Sequence, residues 1–502
     1  MSDQTGRIAY RLTYSHLPRK NSMLKEIVQY PLLVKGAKTA NFVEIKSPFN
    51  GEVIAAVGQA DEQAIDAALT IAAETFDKTM RRMPAYERAE ILHKASRLIM
   101  EHQEDLAKTI ALEGGKPIKD ARIEVARAAT TFGIAAGEAT RLEGEQIPMD
   151  ITRGNEGRIG IVVREPVGIV GAICPFNFPL NLVAHKVAPA LAAGNTVVLK
   201  PSSQTPVASF KLAEILKEAG LPEGALQVVP CRGSLGNALV KDPRVAVLSF
   251  TGSPEVGWRM RKDIHAGTRI VLELGGNAGL IVHDDADLET AARAATRGGY
   301  GYAGQTCISV QRVYVQSKVY EKFMALFKPM VESLKVGDPL DDTTDVGPLI
   351  DEAAVDKTVT WIETAVKGGA KLISGGERVG KLAVKPAILT DTKPDMLVVC
   401  QEVFGPIVSV MKYETIDDAI NAVNDSDFGL QAGVFTNNLE IAFKAARRID
   451  VGGVMVNDAP TFRQDHMPYG GRKESGVGLE GVRYALHEMT QPKFICLNLP
   501  RL

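Results

Sequence analysis

The sequence predicts an α/β protein built on mostly parallel sheets and holding more than one core. Three observations carry this. Between about Val167 and Leu274, strand-like and helix-like runs alternate, and a second alternation begins near residue 285. The strand-like runs are continuously apolar, as strands buried on both faces are. At 502 residues, the chain exceeds one core and suits roughly two to four domains.

Taken in order, residues 62 to 141 read as mostly helical, with breakers at Pro84, Gly114-Gly115, Pro117 and Gly133. Arg158 to Arg164 alternates, as does the tail from Lys493 to Leu497; both predict edge strands, which must be paired or covered. Val167 to Ile173 is a buried strand, and a loop at Cys174-Pro175-Phe176-Asn177-Phe178 follows it. Pro179 can open the next helix, which stops at Gly194. Asn195 to Lys200 is a strand ending at Pro201. A helix over Thr205 to Ala219 is closed by Gly220 and Pro222. Leu226 to Val229, Val245 to Phe250 and Arg269 to Leu274 complete the strands. A short helix lies between the first two, and Ser253-Pro254 supplies an N-cap and first turn for another. In the second unit, Val310 to Val315 and Gly433 to Phe435 read as strands, and Val403 to Pro406 as a turn. This alternation implies right-handed crossovers, with ligands at the carboxyl ends of the strands. Asn177, Lys200 and Gly252 fall at those ends, and Glu273 falls late in its strand.

Bulk properties exclude several function classes. Lysine and arginine number 58 against 60 acidic residues, and no long basic run occurs, so nucleic acid is not an expected partner. Val167 to Ala184 is long and apolar, but Pro175, Asn177, Pro179 and Asn181 in its middle disqualify a lipid-facing helix. The first 22 residues are polar and carry Arg7, Arg11, Arg19 and Lys20. This rules out an ordinary secretory signal; the leader reads as a disordered tail or as a stretch upstream of a start at Met23, with a targeting segment as the alternative. The five cysteines form no CxxC pair, so no metal cluster is expected, and a reducing, cytoplasmic setting is.

Cys307, in Gly304-Gln305-Thr306-Cys307-Ile308-Ser309, follows a glycine-rich turn with small and polar neighbours. Such a thiol is open to substrate, although an isolated cysteine is commonly a small buried hydrophobe. Two G-x-G-x-x-G matches, Gly299 to Gly304 and Gly476 to Gly481, lack the strand-then-helix context of a dinucleotide fingerprint. The run Phe250 to Gly257 has that context, and its helix N-terminus offers N–H donors; an ordinary βα turn is the alternative. Lys200 suits a ribose hydroxyl or a phosphate, or is a solvated strand end. Asn177 can donate to an oxyanion or simply stabilise its loop. Glu273, after Ile270-Val271-Leu272, is expected to be partly desolvated, which raises a carboxyl pKa and suits a general base.

Together these stretches resemble the aldehyde dehydrogenase superfamily beyond residue 30. The matching motifs are Pro175 to Pro179, Lys200 to Pro206, Phe250 to Gly257, Glu273 to Gly276, Gly304 to Cys307, Glu402 to Pro406 and Pro468 to Gly471. The resemblance implies a parallel Rossmann-type cofactor domain (30–148 and 167–276) and a second α/β catalytic domain (277–484). It also implies a small bridging β-ribbon (149–166 and 485–502), after an extension at 1–29. It implies Cys307 as nucleophile, Asn177 as oxyanion donor and Glu273 as base. Lys200, Ser203, Gly252, Ser253, Glu402 and Phe404 would line the cofactor, with Lys186 and Glu480 assisting proton movement. Ser203 stands where relatives restricted to NAD often carry glutamate, so NADP is expected beside NAD.

Phe462 to Gly471 resembles a branch acting on lactaldehyde, glyceraldehyde 3-phosphate, phosphonoacetaldehyde and succinate semialdehyde. Arg127 and Arg463 match arginines that bind anionic tails there, a fork that suits such groups. Thr306 departs from the arginine that phosphonoacetaldehyde enzymes carry, and Phe178 replaces a polar group. The resemblance therefore implies a short, anionic or hydroxylated aldehyde, with Arg127, Phe178, Thr306 and Arg463 around it. The ribbon implies a homodimer or homotetramer. A CoA-acylating enzyme and a cysteine hydrolase are the alternative readings.

Overall fold

The computed structural model describes residues 27–37, 39 and 41–499; the polar leader lies outside them. A six-stranded sheet has the order Gly476–Val477, Arg269–Glu273, Val245–Thr251, Ile169–Ile173, Thr196–Lys200, Leu226–Val228. Its last five strands are parallel, and Gly476–Val477 runs antiparallel to Arg269–Glu273. Ile169–Ile173 and Thr196–Lys200 are buried throughout, which is why they carry no polar alternation. The helix Asn181–Ala193 is also buried on every side, as an all-round apolar helix must be. It packs against Ile118–Ala139 and Val482–Glu488.

A seven-stranded sheet forms the second layer system, ordered Lys371–Ser374, Ala387–Thr390, Ile407–Tyr413, Val310–Gln316, Ala278–Val282, Gln431–Phe435, Gly453–Val456. Only Lys371–Ser374 is antiparallel to its neighbour. Its core includes Leu280, Val313, Phe323 and Phe327. Strand Arg269–Glu273 of the first sheet reaches strand Ala278–Val282 of the second through Leu274-Gly275-Gly276-Asn277 alone. Glu273 therefore sits where the two sheets meet.

The ribbon is a three-stranded antiparallel sheet with Arg158–Pro166 between Thr490–Asn498 and Glu145–Pro148. Glu145–Pro148 lies outside the expected ribbon limits because it pairs with Val162 to Ile159. Likewise, Gly476–Val477 joins the first sheet rather than the second, since Leu272 and Glu273 offer it a free edge. The G-x-G-x-x-G run at Gly299 forms the end of helix Leu288–Tyr300 and a tight 3-10 turn. No helix among the described residues is long and apolar enough to cross a membrane.

Candidate active site

The approach to Cys307 is a run of left-handed backbone. Tyr302 and Ala303 have φ of 50° and 54°, and Gly304 follows at 71°. Non-glycine residues in this region persist only when their surroundings hold them. Here the Tyr302 hydroxyl donates to the Gly114 carbonyl at 2.7 Å, and the Lys116 ammonium lies 4.6 Å from its ring centre. Gly304 must lack a side chain because a Cβ would stand 2.2 Å from the Gly405 oxygen. Gly276 must too, since its Cβ would stand 1.9 Å from the Cys307 carbonyl oxygen. The loop after Glu273 and the Cys307 loop are thus in backbone contact.

Asn177 is buried, and its amide Nδ2 donates to the Gln305 carbonyl at 3.0 Å. One amide hydrogen remains for another acceptor. Cys307 is half-buried, with its sulfur 3.0 Å from the Tyr469 hydroxyl. Burial pushes the thiol up to about 12, against the pull of that hydrogen bond. Glu273 is 2% exposed, and neither carboxylate oxygen has a hydrogen-bond partner among the described residues. Burial, reinforced by the charge of Glu480, raises it well above the ordinary carboxyl range. A Cβ on Gly470, next to Tyr469, would lie 3.5 Å from Glu273 Oε1. Thr306 is half-buried and bonds back to the Gly304 carbonyl at 2.9 Å. The Phe178 ring lies 3.6 Å below the Lys116 ammonium.

Behind these groups lies a buried ionic cluster. Lys186 donates to Glu480 at 2.7 Å and to Ser249 at 3.1 Å. Arg463 donates to the other Glu480 oxygen at 3.0 Å and stacks over the Tyr469 ring, 3.6 Å from its centre. Burial opposes the charge on Glu480, but Lys186 and Arg463 overcome it and hold the carboxylate down. Both arginines of the expected fork, Arg127 and Arg463, are paired with carboxylates. Arg127 donates to Asp465 at 2.7 Å, and the same carboxylate meets His185 at 2.9 Å. Asp465 captures Arg127 because it is buried beside it and needs a cation. Tyr469 was legible only as one letter of the Pro468 to Gly471 motif. Its contact with Cys307 spans 162 residues, so no local signal could reveal it.

On the opposite side lie the cofactor candidates. Lys200 ends its strand buried and donates to the Pro201 carbonyl at 3.2 Å; burial lowers its pKa. Ser203 is exposed and donates to the Cys231 carbonyl at 3.3 Å. Gly252 and Ser253 form the turn before helix Pro254–Asp263. Ser253 occupies the N-cap position, but its hydroxyl makes no capping bond, leaving the first-turn amides open. Thr251 Oγ1 and Trp258 Nε1, in and beside this turn, are buried without partners among the described residues. Glu402 accepts from the Gly276 amide at 2.9 Å, and burial raises it to about 7. Phe404, at φ 52°, sets its ring edge-on to Phe176, with centres 5.9 Å apart. Open amides, a lysine and a carboxylate fit the phosphates and ribose hydroxyls of a dinucleotide.

The model of the aldehyde dehydrogenase family matches residues 34–495. The chain belongs to that family. It is an aldehyde dehydrogenase, oxidising aldehydes to acids. It is 47% identical over 480 residues to a 3-sulfolactaldehyde dehydrogenase of Priestia aryabhattai, covering 95% of this chain and 99% of the relative. Among solved structures, it resembles aldehyde dehydrogenase 21 of Physcomitrella patens in complex with the reaction product succinate. That similarity has a TM-score of 0.92, 39% identity, and coverage of 95% and 100% of the two chains. It also resembles glyceraldehyde-3-phosphate dehydrogenase of Methanocaldococcus jannaschii complexed with NADP. There the TM-score is 0.87 and the identity 39%, with coverage of 91% and 99%.

Proposed function

We propose that this NAD(P)-dependent aldehyde dehydrogenase oxidises a short aldehyde with an anionic or hydroxylated tail, such as a sulfolactaldehyde or lactaldehyde. The observation that carries it is the meeting of a half-buried thiol, a buried amide donor and a buried carboxyl with no hydrogen-bond partner among the described residues, at one junction of two sheets. The Cys307 thiolate attacks the aldehyde carbon, forming a thiohemiacetal. Its oxyanion takes the second Asn177 amide hydrogen and the Cys307 N–H. A bound nicotinamide would supply the hydride acceptor for oxidation at this carbon. The resulting thioester is opened by water, whose proton passes to Glu273, and the acid departs as the thiol is restored. Lys200 and Glu402 would hold the riboses, Gly252 and Ser253 the pyrophosphate, and Phe404 would line the cofactor.

Arg463 is the tail anchor in this reading, because its buried Nε lacks a partner among the described residues. Arg127 instead secures the loop through Asp465. Phe178 and Thr306 border the tail. The six-stranded sheet carries the cofactor and the seven-stranded sheet the nucleophile. The exposed Phe494, Ile495 and Leu497 on the ribbon face a second copy in a homodimer or homotetramer. Five unpaired cysteines suit a cytoplasmic setting.

The test is an aldehyde panel with both cofactors, scored by reduced-cofactor absorbance. Short anionic and hydroxylated aldehydes should give the highest kcat/KM, and CoA should not speed turnover. Absence of reduced cofactor with every aldehyde defeats the proposal. An Arg463→Ala variant with unchanged KM for all anionic substrates defeats the anchor.

A further inference from the structure

We propose that Tyr469 is a positioning residue for the nucleophile: its hydroxyl donates to the Cys307 sulfur, and Arg463, stacked on its ring, strengthens that donor. The inference rests on Cys307 being the nucleophile.

The contact is short, at 3.0 Å, and both partners are fixed from behind. Tyr469 is 3% exposed, and its backbone exchanges two hydrogen bonds with Glu480. In the neutral pair either atom can donate. Once the sulfur is a thiolate it can only accept, so the phenol becomes the donor. A guanidinium over the ring face draws on its π-electrons, which makes the hydroxyl hydrogen more positive. Arg463 stays on that face because Glu480 holds Nη2 and Lys186 holds Glu480.

The charges favour one anion at this spot. Lys186 and Arg463 are cations and Glu480 is an anion, which leaves one positive charge in excess. Glu273 and Glu402 lie close enough for their charges to oppose ionisation of the sulfur. Two ionised carboxyls there would oppose the thiolate, whereas an uncharged Glu273 leaves the excess positive charge to it. When the thioester forms, the thiolate charge disappears. The same excess can then stabilise the Glu273 carboxylate that activates water. Tyr469 thus couples the ionic cluster to the sulfur in the first half of the reaction and releases it in the second.

The test is the pH dependence of iodoacetamide alkylation in the full chain, followed at the Cys307 peptide by mass spectrometry. Peptide resolution separates it from the exposed Cys496 and half-buried Cys400. With Tyr469→Phe, the rise of rate with pH should move to higher pH, and the rate near pH 8 should fall by roughly tenfold, the worth of a hydrogen bond to a charged group. Arg463→Lys keeps the charge but loses the flat stack, and should shift the curve in the same direction by less. A Tyr469→Phe curve that superimposes on the unmodified chain overturns the proposal, even if turnover falls. Alkylation needs no aldehyde or cofactor. Failure of the oxidation reading therefore appears in the aldehyde panel alone, and failure of this inference in the alkylation curve alone.

Discussion

Glu273 and Glu480 are each 2% exposed, yet their carboxyls behave oppositely. Glu480 lies between Lys186 and Arg463 and stays ionised. Glu273, with no hydrogen-bond partner among the described residues, is driven toward its protonated form. Burial is common to both, so it sets the cost of a charge; the neighbours decide whether that cost is met. One carboxylate becomes structure and the other remains available for chemistry.

Glu273→Gln tests the reactive side hardest. Loss of the base should lower turnover by about 10²–10⁴-fold while leaving thioester formation. Rapid quenching and mass measurement should find acylated Cys307. A variant that turns over normally removes Glu273 from the reaction. Glu480→Gln tests the other side. It strands Lys186 and Arg463, and should cost about 3–5 kcal/mol of stability, read as a lower denaturant midpoint. It should also lower the Glu273 pKa, because the nearby negative charge is gone.

Wild-type pH dependence separates the two carboxyls further. In the proposed mechanism Glu273 is the base; it takes a proton only when deprotonated, and its pKa is raised. Deacylation should therefore be complete above that raised value and be lost as pH falls through it. Glu480 acts on stability instead. Its depressed pKa gives stability present above the ordinary carboxyl range, lost as pH falls from about 4.5 toward about 2. Single-turnover deacylation and unfolding midpoints against pH check the two. The smallest effect belongs to exposed Ser203. Ser203→Glu should cut kcat/KM with NADP roughly tenfold while sparing NAD, since like charges ~4 Å apart repel by about 1–4 kcal/mol in this setting. Equal loss with both cofactors breaks the assignment.

The alternation of apolar runs located the strands from Val167 to Leu274 within a residue or two, because strands buried on both faces admit little else. Breakers did the same for helices: Gly194 and Gly220 terminate theirs in left-handed backbone. Gly476–Val477 and Glu145–Pro148 were less legible. Each is short, and the partner of Gly476–Val477 lies far away in sequence.

The motifs around Cys307, Asn177, Glu273 and Lys200 determined the family and the kind of chemistry, because those residue types carry their reactivity wherever they stand. Only the tertiary structure decided which charges are paired. It gave Arg127 to Asp465 across 338 residues, gave Arg463 to Glu480, left Glu273 without a hydrogen-bond partner among the described residues, and set Tyr469 on the Cys307 sulfur. Coulomb energy and desolvation depend on distance in space and exclusion of water, and neither is written in the order of the residues.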